Sequence, residues 1–325
     1  MVRPGPESSS TRIATLGLIV AVVLWGTSFV AMKSALAAFE PLAVMAARMI
    51  LASALMLPLW SRRPAPARRP GDWRRLALLA ALYPCLYFAC EAHAISLTTA
   101  SQAGAISAMA PLFVAVGAHL FLAERISRWA ILGLGLAVGG VVALSLGGSA
   151  VAGAQNPALG NLLELGAMAA YAASVVILKR LSGRYDSWLL TGIQCAAGAI
   201  VFLPALLLAP AGSWADAPPV AWASLLYLGL AVTLVPIGLY NFAISRMPAA
   251  RAAIAINLVP IVAIVTGWAL LGDALTPVQL AACAVILVSV LLGQRTGPGG
   301  STAEPERTLV RVPDRATGTI TGLRF

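Results

Sequence analysis

Trp25-Gly26-Thr27-Ser28-Phe29-Val30-Ala31-Met32-Lys33 returns later in the chain as Tyr171-Ala172-Ala173-Ser174-Val175-Val176-Ile177-Leu178-Lys179. The same offset carries Glu40 onto Asp186 and Arg48 onto Gln194. A second block follows in the same order. Ala94-Ile95-Ser96 returns as Ala243-Ile244-Ser245, with Ala100 on Ala249, Ala103 on Ala252, Pro111 on Pro260 and Glu124 on Asp273. The two offsets differ by three residues, a short insertion between the blocks. Each copy holds five long apolar segments, and five is odd, so the second copy enters a bilayer from the opposite face. Inverted repeats around a midplane site are a sequence signature of many secondary transporters. A duplicated bundle with a purely structural role is the plainer alternative.

Composition identifies the solvent. The 325 residues are 60% hydrophobic and only 10% charged, with mean hydropathy +0.88. Soluble domains carry about 25% Asp, Glu, Lys and Arg. A helix needs roughly 20 apolar residues to cross the hydrocarbon core. Ten such stretches are legible: Ile13–Ser34, Pro41–Trp60, Leu76–Ser96, Ser101–Leu122, Trp129–Leu146, Leu159–Leu178, Trp188–Leu208, Ala221–Phe242, Ala249–Leu271 and Val278–Leu292. The expected fold is therefore an all-α membrane protein of ten transmembrane helices, built as two inverted five-helix repeats. The expected organisation is a tail over 1–12, a first repeat over 13–146 and an external linker over 147–158. A second repeat covers 159–293, followed by a disordered tail over 294–325 that is rich in Gly, Thr and Arg. The first apolar run is followed by Lys33 rather than a small-residue cleavage site, so it reads as a span and not a leader.

The charges orient the bundle. Of the 22 Lys and Arg, all but Lys33 and Arg48 fall in the two tails or in alternate loops, such as Arg62, Arg63, Arg68 and Arg69, or Lys179, Arg180 and Arg184. The intervening stretches Gly147–Ala158 and Pro210–Pro219 have none. Cytoplasmic loops collect Lys and Arg, which puts both termini in the cytoplasm and agrees with an even helix count. The net charge of +10 and pI of 10.2 reflect this bias. Nucleic acid is excluded as a partner, because the basic residues are dispersed rather than gathered on one face. Cys85, Cys90, Cys195 and Cys283 lie in apolar segments without metal-ligand spacing, and read as small buried hydrophobes.

Trp25-Gly26 with Ser28, Arg48 in the second span, Pro111 in the fourth and Glu124-Arg125 after it resemble the EamA repeat of the drug/metabolite transporter superfamily. The resemblance covers Leu16–Leu146 and, more weakly, Leu159–Leu292. Each motif is short; their order and spacing in two copies carry the match. The resemblance implies ten helices, cytoplasmic termini, and export or exchange of small metabolites, often amino acids or related compounds. It fixes no substrate. The second copy departs from the pattern at Tyr171-Ala172, Gln194 and Asp273-Ala274, which breaks strict two-fold equivalence of a site.

Polar residues stranded in the spans are the candidates for transport. A charge at the bilayer centre costs about 2.5–3.5 kcal/mol on insertion scales, so it needs a partner or a wet cavity. Arg48 would bind a substrate carboxylate in a fork, or else form a structural ion pair to a neighbouring helix. Glu91 shares a helical stripe with Tyr87 and Pro84. A carboxyl in apolar surroundings is favoured in its neutral form, which suits proton coupling; the alternative for Glu91 and His93 is contact with headgroup water. Glu164 lies on the face of Tyr171 and is the second candidate for proton coupling. Trp25 and Tyr171 sit mid-span and would present aromatic rings to a shared cavity. Trp60, Trp73, Trp129, Trp188 and Trp214 fit an interfacial belt better, and His119 an interfacial position. Ser28, Tyr87 and Asn257 complete the expected substrate-binding set. Pro111 and Pro260 would kink their helices and line the site, or serve packing alone. Gly104 and Ala108 would let helices approach closely. Lys33 and Lys179 are expected to snorkel to the interface, and Glu124 and Asp273 to act as caps or loop pairs.

These readings point to a secondary transporter of the cell inner membrane working by alternating access, with proton-coupled export of a small amphipathic metabolite first. Uncoupled facilitated exchange comes next. A membrane-embedded enzyme or a lipid-handling protein is the rival class, but no HExxH, CxxC or GxSxG is present. No cofactor or metal is expected, and without a Walker-type loop neither is direct ATP coupling. The implied partners are a small-molecule substrate and the lipid bilayer; monomer and homodimer both stay open.

Overall fold

A bilayer offers no water to an open backbone, so apolar runs of this length close their hydrogen bonds internally as helices. The computed structural model of the chain describes residues 9–60, 71–122, 126–146, 154–182, 185, 187–210, 214–244 and 255–293. No strand occurs among them. The first span is Ser9–Leu36 and the second Pro41–Trp60. The third joins Asp72–Ala80, a wide π-type turn at Ala81–Leu86, and Tyr87–Leu97. The fourth joins Ala100–Ser107 to Ala110–Leu122, and the fifth is Arg128–Leu146. In the second repeat, the sixth is Pro157–Ser182 and the seventh Ser187–Leu208. The eighth joins Pro219–Leu226, a wide turn at Tyr227–Val232, and Val235–Ile244. The ninth contains Val259–Leu271, and the tenth is Pro277–Gly293. Eight of these spans are long and apolar enough to cross a membrane, and the last two are shorter apolar helices. The chain is a ten-segment, multi-pass membrane protein built as two inverted five-helix repeats.

The repeat is visible in the irregularities as well as the helices. The wide turn Ala81–Leu86 recurs at Tyr227–Val232 at the offset that carries Trp25 onto Tyr171. The break at Ala108-Met109, just before Pro111, recurs at Asn257-Leu258, just before Pro260, at the offset of the second block. Between those two features Thr233 and Leu234 form an extra turn, which locates the three-residue insertion. A proline has no N–H and its ring crowds the preceding turn, so each helix restarts with the proline in its first turn. The third span breaks at Tyr83, whose backbone is extended (φ −140°, ψ 116°) ahead of Pro84.

The main core gathers first-repeat residues such as Phe29, Met45 and Phe88 and is closed by Phe202, Leu228 and Ala263 of the second. The largest helix interfaces pair second with seventh, third with sixth, first with eighth and ninth, fourth with ninth, and fifth with tenth. Small residues set these approaches. A Cβ at Gly26 would lie 2.5 Å from Val262 Cβ and 3.0 Å from the Val259 carbonyl oxygen, and Gly104 is pressed against Ala263. Large apolar side chains such as Ile13, Leu16, Ile200, Leu207 and Val288 point outward, as a lipid-facing surface requires.

At one end of the bundle both repeats are tied together. Lys33 Nζ donates to the carbonyls of Ile95 (2.8 Å), Ser96 (3.4 Å) and Thr98 (2.6 Å). Snorkelling was expected of Lys33; instead it caps the third span, whose last carbonyls have no helical partner. Asp273, expected as a cap or loop pair, accepts from the Ser101 backbone N–H at 2.9 Å and so caps the fourth span from the end of the ninth. Trp214, assigned to a belt, is half-buried: it stacks on Phe39 (4.5 Å), packs against the main core and lies 5.6 Å from Trp222. Glu124, Arg125, Asp186, Ser245, Ala249, Ala252, the arginines of 61–70, residues 1–8 of the first tail and the tail over 294–325 lie outside the described residues, while Ser9–Arg12 of the first tail begin the first span.

Candidate functional site

Arg48, Glu91 and Glu164 come from three different spans and meet at one depth. Each lies about two helical turns, roughly 10 Å, in from the end that carries Lys33. Arg48 is 7% exposed, Glu91 8% and Glu164 0%. The Arg48 side chain is fixed on three sides. Its Nε donates to Thr233 Oγ1 at 3.0 Å, its guanidinium carbon stands 4.5 Å over the Phe88 ring, and Nη1 lies 3.9 Å from Glu91 Oε2. Its terminal nitrogens donate no hydrogen bond among the described residues. Glu91 is oriented by Tyr87, whose hydroxyl donates to Oε1 at 2.6 Å one helical turn away. Of the two readings weighed for Arg48, the structure shows the ion pair, and the terminal guanidinium nitrogens make no hydrogen bond among the described residues.

The wide turns explain why these groups are here. A π-type turn leaves backbone carbonyls without their usual donors. In the eighth span the Thr233 hydroxyl donates to the Leu228 carbonyl at 2.9 Å, leaving its lone pairs for Arg48. In the third span the Tyr83 carbonyl accepts from Gln194 Nε2 at 2.9 Å. Arg48 and Gln194, which the repeat superposes, thus each reach across to the broken span of the other repeat. Glu91 is inside the protein rather than at headgroup water, while His93 is exposed and its Nδ1 lies 2.8 Å from the Ala89 carbonyl. His119 is exposed as well. Pro84 sits in the wide turn, so it leaves the stripe that Tyr87 and Glu91 share.

Glu164 stands beside the third span, within electrostatic reach of Tyr87, Cys90 and Glu91. Both of its carboxyl oxygens are buried without a hydrogen-bond partner among the described residues. One turn earlier, Asn161 Nδ2 donates to Gln102 Oε1 (3.2 Å) and Ser145 Oγ (2.9 Å), and Thr98 Oγ1 lies 3.0 Å from Gln102 Oε1. This polar layer lies between Glu164 and the Lys33 end.

An aromatic wall lines the other side. Tyr83 contacts Tyr87 (5.0 Å), Phe88 (5.3 Å) and Tyr171 (5.9 Å), Tyr87 lies 6.1 Å from Tyr171, and Trp25 lies 6.0 Å from Tyr240. Tyr171 is on the helix face of Gly160, Glu164, Ala167 and Ser174, all buried, yet it is 36% exposed. Its ring packs against Tyr83 and Tyr87 while part of its surface stays open. Ser28 donates to the Trp25 carbonyl at 2.6 Å and Ser174 to the Tyr171 carbonyl at 2.6 Å, an exact echo that commits both hydroxyl protons to their own helices. Asn257 occupies the turn before Pro260 and has polar contacts of its own.

Sequence reading missed Thr233, Phe88, Gln194 and the break at Tyr83. Tyr83-Pro84 in mid-span was an available signal for the break. Thr233 was marked only by falling near the insertion. The four cysteines are free thiols, Cys195 and Cys283 buried. Among the described residues no group of three or more His, Cys, Asp or Glu is placed to hold a metal ion.

The EamA-like transporter family model matches the chain twice, over residues 12–146 and 158–293. A protein of Streptantibioticus cattleyicolor named "Probable terminal-alkyne amino-acid exporter" is 29% identical over 294 residues, 87% of this chain and 93% of that protein. A "Probable amino-acid metabolite efflux pump" of Salmonella typhimurium is 27% identical over 87% of this chain and 95% of its own length. An uncharacterised transporter of Bacillus subtilis is 24% identical over 91% of this chain and 92% of its own. A solved crystal structure, 18% identical, aligns over 89% of this chain and 97% of the other with a TM-score of 0.59, a likeness of fold.

Proposed function

The chain belongs to the EamA-like transporter family, and from that premise we propose that it exports small amphipathic metabolites, amino acids or related compounds, in exchange for protons. The repeats rock about this group of residues, exposing it alternately to either side of the cell inner membrane, with both termini in the cytoplasm. The observation that carries this reading is the buried Arg48–Glu91 pair, with half-buried Tyr87 on Glu91, against an aromatic wall. It combines a cation for an anionic substrate group, an acid that can exchange a proton, and apolar surface. The substrate class is supported further by the names of two relatives. No nucleophile with a paired base is evident in the group, which favours a carrier over an enzyme.

Glu91 is the proposed coupling acid, with Glu164 as the second buried carboxyl. Glu91→Gln keeps shape and hydrogen bonding but cannot ionise. In proteoliposomes it is expected to keep exchange of substrate for substrate and to lose acceleration by a pH gradient. A Glu91→Gln protein that answers the gradient as the parent does removes Glu91 from the coupling role. If Glu164→Gln also leaves the response intact, uncoupled facilitated exchange replaces proton coupling.

A further inference from the structure

Two groups of opposite sign in the site have atoms that make no hydrogen bond among the described residues: the terminal nitrogens of Arg48 and both oxygens of Glu164. Arg48 uses Nε for Thr233 and keeps its ion-pair partner Glu91 at 3.9 Å, beyond hydrogen-bonding distance. The remaining donors of the fork are the pair that matches a carboxylate in a planar, two-point contact. Glu164, with zero exposure, presents two oxygens that accept no hydrogen bond among the described residues. Leaving buried acceptors unmade is costly, so such a group calls for a donor that arrives with something else. Glu91 does not fill either need, because Tyr87 holds one of its oxygens and Arg48 faces the other.

We propose that Glu164 is the ammonium-binding residue of a zwitterion site whose carboxylate half is the terminal fork of Arg48. The ligand is an α-amino acid with an apolar or aromatic side chain, which lies against Tyr83, Tyr87 and Tyr171. This deepens the transport reading and rests on it. An ammonium supplies three donors to the two orphan oxygens, and a carboxylate supplies two acceptors to the fork. The charge count closes as well: Arg48, Glu91, Glu164 and a bound zwitterion sum to zero when one of the two acids carries a proton. Glu164 thereby determines specificity, separating amino acids from simple carboxylates.

The test uses the full-length protein in detergent and three probes: L-phenylalanine, 3-phenylpropionate, which lacks the ammonium, and 2-phenylethylamine, which lacks the carboxylate. Binding is read by thermal shift, since a ligand of the native state raises stability. The parent is expected to prefer phenylalanine to either analogue by roughly ten- to a hundredfold, the range of one charge-assisted contact. Glu164→Gln should bring phenylalanine down to the level of 3-phenylpropionate and leave the latter unchanged. Arg48→Gln should weaken both carboxylates and spare the amine. Glu164→Asp keeps the charge at shorter reach and should retain a reduced preference, which guards against a folding defect in the Gln variant. Equal weakening of phenylalanine and phenylpropionate by Glu164→Gln overturns the assignment, as does a parent without preference or without any shift. Loss of the pH-gradient response in Glu164→Gln with its zwitterion preference intact also overturns it and makes Glu164 a proton carrier. A parent that ignores pH gradients but shows the preference removes proton coupling and leaves the zwitterion site standing.

Discussion

Thr233→Val replaces a hydroxyl with a methyl of nearly the same volume at the point where Arg48 is held. The parent hydroxyl donates to Leu228 at 2.9 Å and accepts from Arg48 Nε at 3.0 Å, and both residues are buried. A hydrogen bond to a charged group contributes about 1.5–3 kcal/mol in water-soluble proteins. Interhelical hydrogen bonds in membranes average nearer 0.6 and reach about 1.7 kcal/mol, because the unfolded helices find other partners in the bilayer. The carbonyl of Leu228, in the wide turn, loses the hydroxyl that donates to it as well. We therefore expect a loss of about 1–2 kcal/mol. That is a fall in Tm of roughly 2–8 °C, at about 2–4 °C per kcal/mol. Transport should fall by about tenfold or more, since freeing one side of the guanidinium degrades the alignment of its fork. The assay is a double-mutant cycle of Thr233→Val with Arg48→Met, reading Tm in detergent and initial transport rate in proteoliposomes, with Thr233→Ser as the variant that keeps the hydroxyl. A coupling energy near zero, or a Val variant that transports like the Ser variant, would show that Thr233 does not position Arg48 and would refute the reasoning.

Two further outcomes follow from packing and charge. Gly26→Leu should abolish the folded protein in membranes, because even a Cβ there would lie 2.5 Å from Val262 and 3.0 Å from a backbone oxygen; normal expression and Tm would show that the first and ninth spans are not this close. Cysteines placed at Ser149 and Gly212 should react with an impermeant thiol reagent in intact cells while one at Ala67 stays silent; labelling at Ala67 would reverse the proposed orientation.

The fold was legible because its causes are local or periodic. Ten apolar runs, alternating basic loops and two blocks at nearly constant offset are all properties of the chain read along its length. The prolines at 111 and 260 marked their helix breaks for the same reason: the missing N–H acts on the residues just before it. The candidates Arg48, Glu91 and Glu164 were found by their cost, since ionisable side chains in apolar helices are rare unless something satisfies them.

What the sequence could not decide was partnership. Glu91 was equally a headgroup-facing acid or an interior one, and only the packing of the third span against the second and sixth turns it towards Arg48 and Glu164. Lys33 looked like an interfacial lysine until the third span ended beside it and offered three carbonyls. Thr233 is one hydroxyl among many in the sequence. It becomes the anchor of Arg48 because a three-residue insertion and a wide turn set it across from the second span, 185 residues away along the chain. A helix reveals its own lipid-facing and buried residues through periodicity, but hydrogen bonds between helices depend on rotation and depth, and those are set by how Gly26, Gly104 and their neighbours let the two repeats close on each other.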